Sequence, residues 1–181
     1  MRKVLVLLLF FTLNSWAAPK QEFSNWEVRT APIAYLAKWI TLDLSYVTDS
    51  FAFGPSIISY ASPETVGGML APTYNGLAYG GNFVLAETLY RNSLYLSGHA
   101  YAENFRSYPH AFLGYQNRTG GKANIVLGYR WVNIDITSMF GVGMEFRNHK
   151  VESVNNFTNS VTEYNENTSL LHIEFKIGYL F

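Results

Sequence analysis

The final stretch of the chain constrains the fold more than any other. Residues 169–181 read S-L-L-H-I-E-F-K-I-G-Y-L-F, and positions 171, 173, 175, 177, 179 and 181 are all apolar or aromatic. His172, Glu174, Lys176 and Gly178 alternate with them, and only Leu170 and Leu180 interrupt the polar set. A period of two over this length predicts a strand with one apolar face and one polar face.

The same period recurs upstream. Segments 28–35, 40–47, 51–60, 77–87, 93–105, 123–132 and 134–149 bring the count of predicted strands to eight. In the second, Ile40, Leu42, Leu44 and Tyr46 oppose Thr41, Asp43 and Ser45. In the seventh, Ile136, Phe140, Val142, Met144 and Phe146 oppose Asp135, Thr137, Glu145, Arg147 and His149. Pro32 interrupts the first segment and Gly54-Pro55 the third, as suits irregular or seam strands. Short connections at 48–50, 90–92 and 133 alternate with long polar ones at 62–76, 106–122 and 151–167. The first connection, 36–39, departs from that rule.

Composition decides what the apolar faces meet. The chain is 49% hydrophobic and 17% aromatic but only 14% charged, against about 25% charged in a soluble domain. Beyond residue 13 no apolar run reaches the ~20 residues of a spanning helix, so a membrane crossing would be made by strands. In lipid a sheet must close, because an open edge finds no water. The prediction is an all-β chain, an eight-stranded antiparallel up-and-down transmembrane β-barrel; a soluble sandwich or lipocalin-like barrel is the alternative. Short turns on one side and long loops on the other fit the first. Aromatic belts are expected at the two rims. Tyr46, Phe51, Tyr129, Trp131, Tyr179 and Phe181 would form the turn-side belt, and Trp39, Tyr60, Tyr79 and Tyr108 the other.

The N-terminus points to export. Arg2 and Lys3 precede an apolar run from Val4 to Leu13, and Ser15-Trp16-Ala17 offers small residues at a cleavage site. Residues 1–17 are expected to be a signal peptide, with cleavage after Ala18 as the alternative, and 18–181 a single barrel domain. The run is short for a membrane anchor. The chain has no Cys, hence neither a lipoprotein anchor nor disulfides, and its formal net charge of zero argues against nucleic acid as a partner.

With these features in place, the chain resembles small bacterial outer-membrane barrels of the OmpA-barrel and OmpX type. Such barrels commonly end on Phe with an aromatic two residues earlier, as Phe181 and Tyr179 do here. One difference is that Lys176 stands where the family often has Gly, and Gly is at 178 instead. The resemblance implies a Gram-negative outer-membrane location, contact with outer-membrane lipids and lipopolysaccharide, and recognition of Tyr179 and Phe181 by the barrel-assembly machinery.

Apolar faces in lipid send the polar faces inward. The expected lumen network is Asp43, Arg130, Glu145, Arg147, His172, Glu174 and Lys176, joined by Asn82, His99, Tyr101, Glu103 and Asp135. Acids and bases balance, and eight strands leave an interior that side chains fill. A plug of paired charges is therefore expected, with a structural or surface-interaction role through extracellular loops and an unknown external ligand.

Two other roles stay open, a narrow pore or small-ligand binder and a lipid-modifying hydrolase. For the hydrolase, Ser97, His99 and Glu103 share one face and supply a nucleophile, a base and an acid. The arrangement resembles a lipid A deacylase family that uses a His-x-Ser pair with a Glu on its lipid-facing side. Here the order is reversed, Ser97-Gly98-His99, and the face points inward. The four His show no metal-ligand spacing, and no cofactor is expected.

Overall fold

The computed structural model describes residues 25–32, 34, 39–61, 73–110 and 114–181. The expected signal peptide, residues 1–17, lies outside the described residues, as does most of the predicted loop 62–76.

Eight strands follow one another and close into a ring: β1 (Trp26–Thr30), β2 (Trp39–Val47), β3 (Phe51–Ala61), β4 (Thr73–Ala86), β5 (Ser93–His110), β6 (Gly114–Asn133), β7 (Ile136–Asn155) and β8 (Ser160–Leu180). Every neighbouring pair is antiparallel. The ring closes where Glu27 faces Leu180 and Thr30 faces Ile177. Turns 48–50, 87–92 and 134–135 lie at the same end as Trp26 and Phe181, here the near end. The turn at 156–159 marks the far end.

Side-chain alternation decides which way each strand faces. Ile40, Leu42, Ile57, Leu77, Leu96, Ile125, Leu127, Val142, Ile173 and Ile177 are exposed, whereas Asp43, Ser97, Glu103, Arg130, Glu145 and Glu174 are buried. The ring is thus apolar outside and polar inside, as the alternation predicts. Around the near rim Trp26, Tyr46 and Phe53 form a chain of ring contacts at 5.5 and 6.2 Å, and Tyr129–Trp131 and Tyr179–Phe181 add two more pairs.

Several expectations are corrected. The first strand starts at Trp26, two residues early, and ends at Thr30, after which the Ala34 N–H donates to the Ala31 carbonyl at 3.0 Å; Pro32 has no N–H for the ladder. Gly54-Pro55 does not break β3, because the Asn82 side-chain amide donates to the carbonyls of both residues at 3.0 and 3.1 Å. The predicted long loops 106–122 and 151–167 are mostly strand: β5–β8 run 18, 20, 20 and 21 residues. β1–β4 run only 5, 9, 11 and 14 residues, so β5–β8 form a tall wall. Beyond the apolar band both faces of this wall are wet, and the period-two signal vanishes although the ladder continues. Asp135 sits in the turn 134–135, not the interior; its carbonyl accepts the Leu180 N–H at 2.8 Å. Trp39 and Tyr60 share the inward parity of Asp43 and Ser56, and pack inside the far end with Tyr74 and Phe105.

Candidate functional site: the interior

The interior is built in three layers. At the near end Val47, Ala52, Val84, Leu89, Tyr95, Val126, Met139 and Leu180 form an apolar plug. Leu89, fully buried, comes from the turn 87–92, which is held by the Leu89 N–H donating to the Asp49 carbonyl at 2.7 Å and the Tyr90 hydroxyl to the Val47 carbonyl at 3.3 Å. Within the plug lie Glu27, Arg29 and Arg130. Arg130 Nη1 is 3.0 Å from Glu27 Oε1, and the Thr137 hydroxyl donates to the same oxygen at 2.5 Å. Arg130 Nε donates to the Leu89 carbonyl at 3.1 Å. Arg29 Nη2 donates to Ser45 Oγ at 2.7 Å and Asn82 Oδ1 at 2.5 Å.

Gly178 of β8 makes room for this network. A Cβ there would meet Arg29 Cγ and Glu27 Oε1 at 2.7 Å. Gly178 is therefore the gap through which β1 side chains reach β6 and β7.

The middle layer centres on Lys176. Its Nζ lies 2.6 Å from Asp43 Oδ2, 3.2 Å from Glu174 Oε2 and 2.5 Å from His99 Nε2. His99 Nε2 also lies 3.2 Å from Asp43 Oδ2, and Nδ1 faces Asn124 Oδ1 at 3.0 Å. His99 stacks on Tyr101, and Ser56 bonds both Asp43 and the Tyr101 hydroxyl. Glu174 Oε1 accepts from Tyr95 and Ser97, each at 3.1 Å.

The far layer joins Glu103 to His149 at 2.7 Å, to Lys122 at 3.2 Å and to the Tyr60 hydroxyl. Glu145 binds Arg147 at 2.5 Å and His172 at 3.3 Å. His172 and Arg147 are partly exposed, and inward-facing Leu170 is 46% exposed. The far mouth is thus open to a degree that the near end is not.

The predicted network is brought inside but divided. Asp43, Glu174 and Lys176 meet in the middle, Glu145, Arg147 and His172 meet above, and Arg130 lies below with Glu27. Sequence reasoning misses Glu27, Arg29, Lys122 and His149. The first two fall outside or at the edge of a strand started at Val28. Lys122 falls in the expected loop 106–122, although it shares the parity of Asn124 and Arg130, and His149 is the last residue of the seventh segment's polar face, beside a loop.

The three catalytic candidates are not assembled. Ser97 donates to Glu174, and among the described residues no hydrogen bond joins it to His99. Glu103 serves the far layer, with Tyr60, His149 and Lys122. A buried serine whose hydroxyl already serves a carboxylate lacks the base contact that activates a nucleophile. Among the described residues no group of three or more His, Cys, Asp or Glu is placed to hold a metal ion. No protein-family model, curated protein or solved structure matches the chain.

Proposed function

We propose that the chain is a transmembrane β-barrel of a bacterial outer membrane. Its interior is a structural plug without catalysis, and its tall β5–β8 wall carries surface interactions outside the cell. The observation that carries this reading is the inverted surface, with exposed apolar side chains ringing the barrel while paired charges fill its centre. A soluble barrel would bury the first set and expose the second. Outer-membrane lipids and lipopolysaccharide are the partners of the apolar band, with aromatic rings at the headgroup level of the near rim. The leader-like composition of residues 1–17 and the aromatic pair Tyr179 and Phe181 support export and handling by the barrel-assembly machinery. The near-end plug argues against a conducting pore.

The test separates lipid from water outside the ring. Leu127 is 63% exposed, so in a soluble protein Leu127→Arg would change stability by no more than about 0.5 kcal/mol. Facing the lipid midplane, the same change costs about 2–4 kcal/mol. We expect the larger loss in urea unfolding from phospholipid vesicles, together with heat-modifiable gel migration and co-sedimentation with membranes. A fully soluble protein indifferent to Leu127→Arg would sink the proposal. For the hydrolase reading, lipid A mass spectra from cells with and without the protein should show one acyl pattern. Loss of an acyl chain that disappears in Ser97→Ala would establish the enzyme instead.

A further inference from the structure

We infer that the near-end layer holds a small monovalent anion of the halide type between the guanidinium groups of Arg29 and Arg130. Both side chains are fully buried, at 1% and 0% exposure. Both Nη1 atoms approach the same sulfur, Met139 Sδ, at 3.7 and 3.5 Å, which places the two cations side by side. They share a single carboxylate: Glu27 is 3.0 Å from Arg130 but 3.9 Å from Arg29. Arg29 Nε and Arg130 Nη2 have no hydrogen-bond partner although each is sealed from solvent.

A buried N–H without an acceptor costs about 1–3 kcal/mol, and more on a charged group. Two such donors in one layer therefore call for an acceptor. Neighbouring protein groups do not provide it. Asp43, in the layer above, is spent on Lys176, His99 and Ser56. Glu174 Oε1 is spent on Ser97 and Tyr95, and its Oε2, which accepts no hydrogen bond, is committed to the Lys176 ammonium 3.2 Å away. Asp49 and Asp135 belong to the turns at the rim. A water would accept from the donors but leave two guanidiniums on one carboxylate. An anion meets both needs. The surroundings choose its kind. Met139, Leu89 and Val47 offer a polarisable, apolar wall with few donors, which suits a single-atom anion better than an oxyanion that needs several N–H groups.

Two measurements on the full-length mature protein test the site. Crystals grown in sodium bromide should show an anomalous peak within hydrogen-bond reach of Arg29 Nε or Arg130 Nη2; a water without anomalous signal there would refute the inference. In detergent, unfolding should be roughly tenfold slower in sodium chloride than in sodium gluconate of equal ionic strength. Arg29→Met should abolish that difference. Equal rates in the two salts for the unaltered protein would overturn the site without touching the membrane reading.

Discussion

Glu27→Gln is expected to destabilise the protein by about 3–5 kcal/mol, the cost of removing one partner from a buried charge group. The carboxylate is 0% exposed and compensates Arg130 at 3.0 Å and Arg29 at 3.9 Å, while Thr137 donates to it. The amide keeps the shape and deprives both guanidiniums of the carboxylate they share. The loss is large also because of where Glu27 stands. β1 meets β8 through four partner pairs, whereas β7 and β8 share twenty. The Glu27 side chain crosses behind Gly178 to Thr137 on β7 and Arg130 on β6. It thereby ties the shortest strand to the ring from inside, where the backbone seam is weakest. Urea unfolding followed by tryptophan fluorescence measures the effect. Glu163→Gln is the control: its partner Lys150 is 2.7 Å away, but both side chains are more than half exposed. A surface pair of that kind contributes about 0–1 kcal/mol. If the two variants shift the midpoint equally, Glu27 does not hold the seam.

The limits of reading this fold from sequence follow from the same physics. Alternation is visible only where the two faces of a strand meet different surroundings. It is clear in 171–181, 123–131 and 136–146, where the outer face is apolar and the inner one polar. It fades in 148–168, where Asn148, Lys150, Glu163 and Asn165 face out and Glu166 and Thr168 face in, all in polar surroundings. There the ladder is set by the register of β7 on β8, not by contrast between faces. The inward residues Asp43, Arg130, Glu145, Glu174 and Lys176 are legible from parity. Their grouping into three layers is not, because it depends on the stagger between strands. Asp43 meets Lys176 across 133 positions of sequence. Leu89 is illegible for another reason: a single leucine in a six-residue connection gives no periodic signal, yet it closes the near end.

The Lys176 cluster should show the same sensitivity as Glu27 and, in addition, a recoverable loss. Asp43→Leu strands the ammonium beside His99 with only Glu174 as counter-charge, and removes the acceptor that Ser56 uses. The expected cost is about 3–5 kcal/mol. Lys176→Met alone leaves Asp43 and Glu174 sharing His99, with a similar penalty. Combining the two replaces a buried ion pair by apolar groups of comparable volume, a change that is often neutral or stabilising in other proteins. The double variant should therefore be more stable than either single one, so that the coupling in the double-mutant cycle exceeds the single loss of about 3–5 kcal/mol. Recovery would be incomplete, because Ser56 and His99 still lose their bonds to Asp43, and those losses do not depend on Lys176. Additive single losses would mean that the two charges are solvated separately, as in a water-filled channel, and the interior would then not be a plug. A fully recovered double variant would assign the whole cost to unpaired charge. The hydrogen bonds of Ser56 and His99 would then contribute nothing measurable to holding the centre of the ring.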